Sequence, residues 1–305
     1  MAFLCQPMSK TTTMLTETEN TKAGYRSNAI DYDRIADLHY LGNYIRPLPT
    51  NIARMMENAY DWEHLPYVHP SSFSSIDLID SGAWGWRARI GVPGGIEPTY
   101  QMLDLLVDAE KNYWVSTVFH GPGEGIEIHT QASTLSDDEI QVDVRFYLPT
   151  APDDPSSSAA ILQYMQTQYA RLYDEDIDLM QGRQAALEDR SRWREGDSTP
   201  SETVVGALSS LDKGMSHTIE TATGRYCIRH WQNRWIAHSA VCPHQLGPLH
   251  ESDVDEAGLI TCPWHGYKFD VATGNSQGDL CVALAKAPEL VERNGDLILL
   301  DPTVS

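Results

Sequence analysis

The chain has 305 residues, 41% of them hydrophobic and 21% charged, which suits a soluble globular protein of about two domains. Lys and Arg number 22 against 43 Asp and Glu, so the net charge of −21 argues against nucleic acid or an anionic membrane as partner. No apolar run approaches the roughly 18–20 residues of a membrane span, and the N-terminus shows no basic segment followed by an apolar core.

The five cysteines (Cys5, Cys227, Cys242, Cys262 and Cys281) are odd in number and thinly spread. They argue against a disulfide framework and for a reducing, cytoplasmic setting, where cysteines close to histidines usually bind metal.

Residues 1–28 are rich in Thr, Ser, Glu and Asn without sustained periodicity, and predict a disordered tail. Residues 29–195 predict a larger unit. It opens with a helical stretch, "IARMMENAYDWEHL". Five β-rich segments follow: "AWGWRARIGV", "TYQMLDLLV", "YWVSTVFH", "GIEIHTQAST" and "IQVDVRFYLP". Turn residues separate them, as in an antiparallel sheet. A long helix is expected from Ala159 to Trp193. Residues 196–209 are polar and broken by Gly and Pro, and read as a linker. Residues 210–305 predict a small all-β domain.

The strongest motif lies in that last segment. Cys242 and His244 form a C-x-H pair, Cys262 and His265 a C-x-x-H pair, with 17 residues between His244 and Cys262. Two short ligand pairs on two loops can close on one metal centre, either zinc or a [2Fe–2S] cluster. Gly247 and Gly266 let backbone amides approach bridging sulfides, and Pro243, Pro248 and Pro263 stiffen the loops. His250, Cys227 and Cys281 fall outside the pattern.

A second cluster occupies "ENAYDWEHLPYVHP". Asn58, Asp61 and His64 are each three residues apart, which places them on one helix face. His69 follows five residues later and would turn away on a straight helix. Pro66 is expected to end the helix and let the chain swing His69 back toward His64. Two imidazoles and a distant carboxylate make the facial triad of non-heme iron oxygenases, although this spacing also fits a helix end with solvated side chains. For the carboxylate, the long helix offers Asp174, Glu175, Asp176 and Asp178. Asp176 falls within the apolar stripe of Met165, Tyr169, Leu172, Leu179 and Leu187. A carboxylate aimed into an apolar face is costly unless paired or bound to metal, so Asp176 is the preferred ligand. An exposed acidic face is the alternative.

The motif C-x-H-x17-C-x2-H with "CPWHGY" and the following "KFDVATG" resembles the Rieske iron–sulfur family over roughly residues 210–302. The resemblance implies a [2Fe–2S] cluster with one iron on Cys242 and Cys262 and the other on His244 and His265. The segment N-x2-D-x2-H-x4-H-P resembles the iron-binding helix of the Rieske non-heme iron oxygenases, nearest the monooxygenase and O-demethylase branch. This implies His64 and His69 as ligands of a mononuclear Fe(II). It implies Asp61 as the carboxylate linking the two metal sites and Asn58 as a supporting group. The family also has an E-D pair, matched by Glu175 and Asp176.

The implied fold is α+β, an antiparallel helix-grip (START/Bet v 1-like) catalytic domain followed by a small all-β Rieske domain. This order is the reverse of the familiar one in the family. The implied activity uses dioxygen to hydroxylate, demethylate or N-oxygenate a small organic substrate. Electrons would come from a separate NAD(P)H-dependent reductase or ferredoxin, because the chain has no Gly-rich dinucleotide fingerprint. A head-to-tail homotrimer is implied. The aromatic residues Trp84, Trp86, Tyr113, Trp114, Phe119 and Phe146 would line the pocket walls or the core, with His120 and His129 as further polar candidates. Two rival readings remain. One is a Rieske electron carrier fused to a non-catalytic ligand-binding domain, and the other is a structural zinc protein.

Overall fold

A computed structural model describes residues 15–94, 99–195 and 201–301. The chain divides into two compact units, which among these residues cover 15–181 and 182–301.

The first unit is built on a seven-stranded antiparallel sheet. Its strands are β1 (His39–Leu48), β2 (Ser75–Gly82), β3 (Gly85–Val92), β4 (Thr99–Asp108), β5 (Tyr113–His120), β6 (Glu127–Ser136) and β7 (Glu139–Leu148), in spatial order β1-β7-β6-β5-β4-β3-β2. Helices α1 (Glu17–Gly24), α2 (Ile52–Tyr60), α3 (Leu65–Val68) and α4 (Pro155–Glu195) complete it, with α4 running on into the second unit. Alternate residues of β6 and β7, such as Ala132, Ile140, Val142, Val144 and Phe146, point inward as period-2 strands require. Met165, Tyr173 and Met180 of α4 and Met55 and Ala59 of α2 close over them. A sheet curled around one long helix is a helix-grip architecture, and the class is α+β.

Two strands have no counterpart in the sequence pattern. They are β1 and β2, the two edges of the sheet. β1 contains Gly42 and Pro47, and β2 carries Asp77 and Asp80. Breakers and charges suit an edge, where half the backbone groups need no partner, and they hide the strand signal.

The expected disordered tail is corrected over its described part. Residues 17–24 form α1, and residues 1–14 lie outside the described residues. Thr16 and Glu19 form a reciprocal capping box, a signal present in the sequence as T-x-x-E. Ala23 packs on Met102 and Phe119, and Arg26 is bonded to the buried Asp104 at 2.6 Å.

The second unit is all-β beyond the end of α4. One sheet has order β11-β10-β9, from β9 (His217–Glu220), β10 (Arg225–Trp231) and β11 (Arg234–Ser239). Another has order β14-β15-β8, from β8 (Ser201–Ala207), β14 (Glu289–Arg293) and β15 (Asp296–Asp301), and β12 (Leu259–Thr261) pairs with β13 (Lys268–Asp270). The expected linker 196–209 is thereby corrected, because β8 pairs with β15 from Ser201 to Ala207. Residues 196–200 lie outside the described residues. Among the described residues no helix is long and apolar enough to cross a membrane.

Candidate functional site

The first site lies where α2 gives way to α3. Asn51 caps α2 by accepting from Arg54 N–H. The helix stops at Tyr60, sooner than the sequence suggested, and Asp61 leaves helical geometry at φ −87° and ψ 83°. Pro66 does not end this helix. It sits in the first turn of α3, where a missing N–H costs no hydrogen bond. His64 precedes α3 and His69 follows it, so a single turn of helix separates the two imidazoles. Their ring centroids are 5.2 Å apart.

Asp176 of α4 completes the group. One donor atom from each of His64, His69 and Asp176 lies within 4.8 Å of the others, and all three residues are buried. His69 Nε2 is 3.0 Å and His64 Nε2 3.5 Å from Asp176 Oδ1. Asp174 and Asp178 are exposed. Asn58 Nδ2 donates to Asp176 Oδ1 at 2.9 Å, and Asp61 Oδ2 stands 3.7 Å from His64 Nδ1. Glu175 Oε2 lies 2.7 Å from His69 Nδ1, and its other oxygen accepts from Arg171 Nε at 3.1 Å. Sequence spacing gives no sign of this contact between Glu175 and His69.

Burial works to lower the pKa of His64, but the facing carboxylates of Asp176 and Asp61 outweigh it and raise the group to about 9. Burial likewise works to raise Asp176, and the two imidazoles overcome it, holding the carboxyl well below the usual range. Neither ring nitrogen of His64 meets hydrogen-bond geometry, although both are buried. Buried nitrogens converging with a carboxylate fit a divalent cation of the 2-His-1-carboxylate type. The residues fit a mononuclear iron.

These three side chains form part of the wall of a cavity of about 120 Å³. Trp86, Trp114, Leu103 and Phe73 supply apolar surface beside them. Trp86 Nε1 donates to Ala59 O at 3.0 Å, which satisfies its polar tip. His120 and His129 do not line this cavity. His129 is buried between Tyr113 and Glu127, and His120 faces Lys22 and Glu124.

The second site is built from two matching loops. Cys242 N–H bonds to Gly247 O at 2.9 Å and Leu246 N–H to Cys242 O at 3.1 Å. In the other loop, Cys262 N–H bonds to Tyr267 O at 2.8 Å and Gly266 N–H to Cys262 O at 2.9 Å. The equivalent residues Leu246 and Gly266 have φ of 65° and 68°. Glycine adopts that left-handed turn freely, whereas leucine is strained there. The His244 and His265 rings meet edge to face, 4.5 Å between centroids.

The backbone amides of His244 and Gln245 point at the Cys242 sulfur, and that of Trp264 at the Cys262 sulfur. A Cβ on Gly247 would lie 2.7 Å from Cys262 Sγ. The hydrogen bond from Cys242 pushes the Cys262 thiol down to about 5 against the effect of burial, and His265 adds to it. Burial drives Cys242 the other way. Two buried sulfurs, two imidazoles and amides aimed at sulfur fit a [2Fe–2S] cluster. Cys227 is buried on β10, apart from the two loops.

The Rieske [2Fe-2S] domain family matches residues 201–288, so the chain carries a C-terminal Rieske domain. Over 36 residues the chain is 47% identical to pheophorbide a oxygenase, chloroplastic, from Oryza sativa subsp. japonica. That stretch is 12% of this chain and 7% of that protein, far less than two thirds of its length. Over 98 residues it is 28% identical to the ferredoxin component of the alkene monooxygenase system of Xanthobacter autotrophicus, covering 32% of this chain and 80% of that one. Among solved structures, the Zhui aromatase/cyclase from a Streptomyces species superposes at a TM-score of 0.40 with 11% identity, over 48% of this chain and 95% of that one.

Proposed function

We propose that the protein is a Rieske-type oxygenase that oxidises a small organic substrate at a mononuclear iron. The carrying observation is the buried group of His64, His69 and Asp176 in the wall of an apolar cavity, in a chain that also carries a Rieske domain. Similarity to a named oxygenase and to an oxygenase ferredoxin supports the same reading.

Cys242, His244, Cys262 and His265 would hold the cluster, and His64, His69 and Asp176 the iron. When bound, these groups supply single electrons and the activation of dioxygen. The chain's own residues hold, orient and exclude. Glu175 keeps the proton of His69 on Nδ1 and leaves Nε2 free to face the metal. Asn58 fixes the rotamer of Asp176. Trp86, Trp114 and Leu103 keep water from the site and present flat apolar surface to the substrate. Asp61, 3.7 Å from His64 Nδ1, would accept a hydrogen bond from a second imidazole and so link the two metal sites. Electrons would enter from a separate reductase or ferredoxin, and the assembly would be a trimer.

The test is dioxygen consumption by the reconstituted protein with a surrogate reductase and a panel of small apolar substrates. Substrate-dependent uptake with an oxygenated product is expected. Electron transfer through the Rieske domain with no oxygenated product from any substrate would favour an electron carrier fused to a binding domain.

A further inference from the structure

The second unit contains another cavity, of about 550 Å³, that the proposed oxygenation does not use. That volume is typical of small-ligand sites, roughly 300–1,000 Å³. Arg190, Trp193 and Arg194 of the last turns of α4 form one wall. Arg225 of β10 and the loop bearing Cys242 and Leu246 form others.

The charges around it do not balance. Arg225 bonds to Asp189 at 2.7 Å and lies 3.5 Å from Glu220. Arg192 pairs with the same carboxylates, so these charges offset one another. Arg190 and Arg194 line the cavity and have no acidic partner among the described residues. They are four residues apart on a helix and lie on one face. In a chain of net charge −21, two uncompensated cations at one cavity call for a reason. Arginines in a last helical turn also answer the helix dipole. That role does not account for the cavity that both arginines line together with Trp193.

We propose that this cavity binds a small molecule joining a carboxylate or phosphate to a flat apolar body. The two guanidinium groups match such an oxyanion, which accepts paired hydrogen bonds. The Trp193 side chain, with Leu246 and Val241, offers an apolar wall to the body of the ligand. Because Cys242 lines the same cavity, a bound anion lies against the loop that carries a cluster ligand. The optical activity of the cluster should therefore respond to binding.

The test is calorimetric titration of the cluster-loaded protein with indole-3-carboxylate, its methyl ester and phenyl phosphate, with visible circular dichroism followed in parallel. One of the anions should bind saturably and alter the dichroism, the ester binding about tenfold more weakly or less. The tighter anion identifies the head group. The double variant Arg190→Ala, Arg194→Ala changes only exposed side chains and should lose about tenfold in affinity, with a smaller loss for Trp193→Phe. Failure of both anions to bind, or unchanged binding in the double variant, overturns the proposal. So would protection of both arginines from an arginine-modifying reagent by an acidic ferredoxin alone, which would make this a protein-docking face. The titration needs no turnover, so it stands apart from the oxygenase reading.

Discussion

Glu175 and Asp176, neighbours on α4, hold opposite ends of a single imidazole: Glu175 Oε2 is 2.7 Å from His69 Nδ1 and Asp176 Oδ1 is 3.0 Å from Nε2. Consecutive helical residues diverge by about 100°, so the ring of His69 spans the gap between two faces of the helix. The outer contact is braced by Arg171, one turn earlier.

Glu175→Gln should therefore weaken the proposed iron site while leaving His64, His69 and Asp176 in place. The amide accepts less strongly than a carboxylate, and the ring loses its fixed tautomer. Iron affinity or turnover should fall by about 10–100-fold, as for other groups that orient metal ligands. Iron analysis beside the visible spectrum checks this. The Rieske absorption should persist. Unchanged iron affinity and turnover would show that Glu175 does not position His69.

Gly247→Ala should damage the cluster selectively. The added methyl would meet Cys262 Sγ at 2.7 Å and Trp264 Cε3 at 3.2 Å. Gly214→Ala meets nothing nearer than 3.4 Å and is the control. Visible absorption per chain should drop sharply in the first variant and remain unchanged in the second, with far-UV circular dichroism reporting the fold of both.

His238 predicts an acid limit to stability. Burial pushes its pKa below the ordinary 6.5, to about 4. Its Nε2 accepts from Arg229 Nε at 3.1 Å and its Nδ1 donates to Ser239 O at 2.9 Å, an arrangement that needs the neutral ring. The unfolded chain binds this proton from pH 6.5 downward, and the folded chain only near pH 4. Stability from this group is therefore full above pH 6.5 and declines as pH falls toward 4, by at most about 3 kcal/mol. Urea unfolding across that window should be steeper in pH for the wild type than for His238→Gln. Equal pH slopes would contradict the assignment.

Asp61→Asn should leave both metal sites loaded and slow electron flow between them. Asp61 faces His64 Nδ1 at 3.7 Å, and the proposed bridge would give it a second imidazole. Single-turnover mixing of the pre-reduced protein with dioxygen and substrate reads the rate of cluster reoxidation. Wild-type reoxidation in the variant would remove the bridging role. Light scattering should give a particle about three times the 34.1 kDa chain mass. A fully active monomer would place both metal sites of the electron path within one chain.

Much of this was legible because the chemistry is local. The two Cys–His pairs need only short loops, so spacing alone exposed them. The inner strands showed through because both apolar alternation and burial mark them. The edge strands β1 and β2 were hidden by Pro47, Gly42, Asp77 and Asp80, which suit an unpaired edge. Helix α1 was hidden by its polarity, and only the Thr16–Glu19 box announces it. The early end of α2 is hidden because Pro66 reads as a stop, whereas it lies in the first turn of α3. Glu175 was missed as a partner of His69 because helical periodicity says which face a side chain leaves from. It does not say which ring, arriving from 106 residues earlier in the chain, will lie across that face.

The most direct test of the central claim is exposure of the anaerobically reduced, reconstituted protein to nitric oxide, a stand-in for dioxygen, followed by EPR and iron analysis. About three irons per chain are expected, with the signal of a high-spin ferrous nitrosyl beside that of the reduced Rieske cluster. In Asp176→Ala the nitrosyl signal should vanish and the Rieske signal remain. A wild-type protein with about two irons, a Rieske signal and no nitrosyl signal would contradict the account.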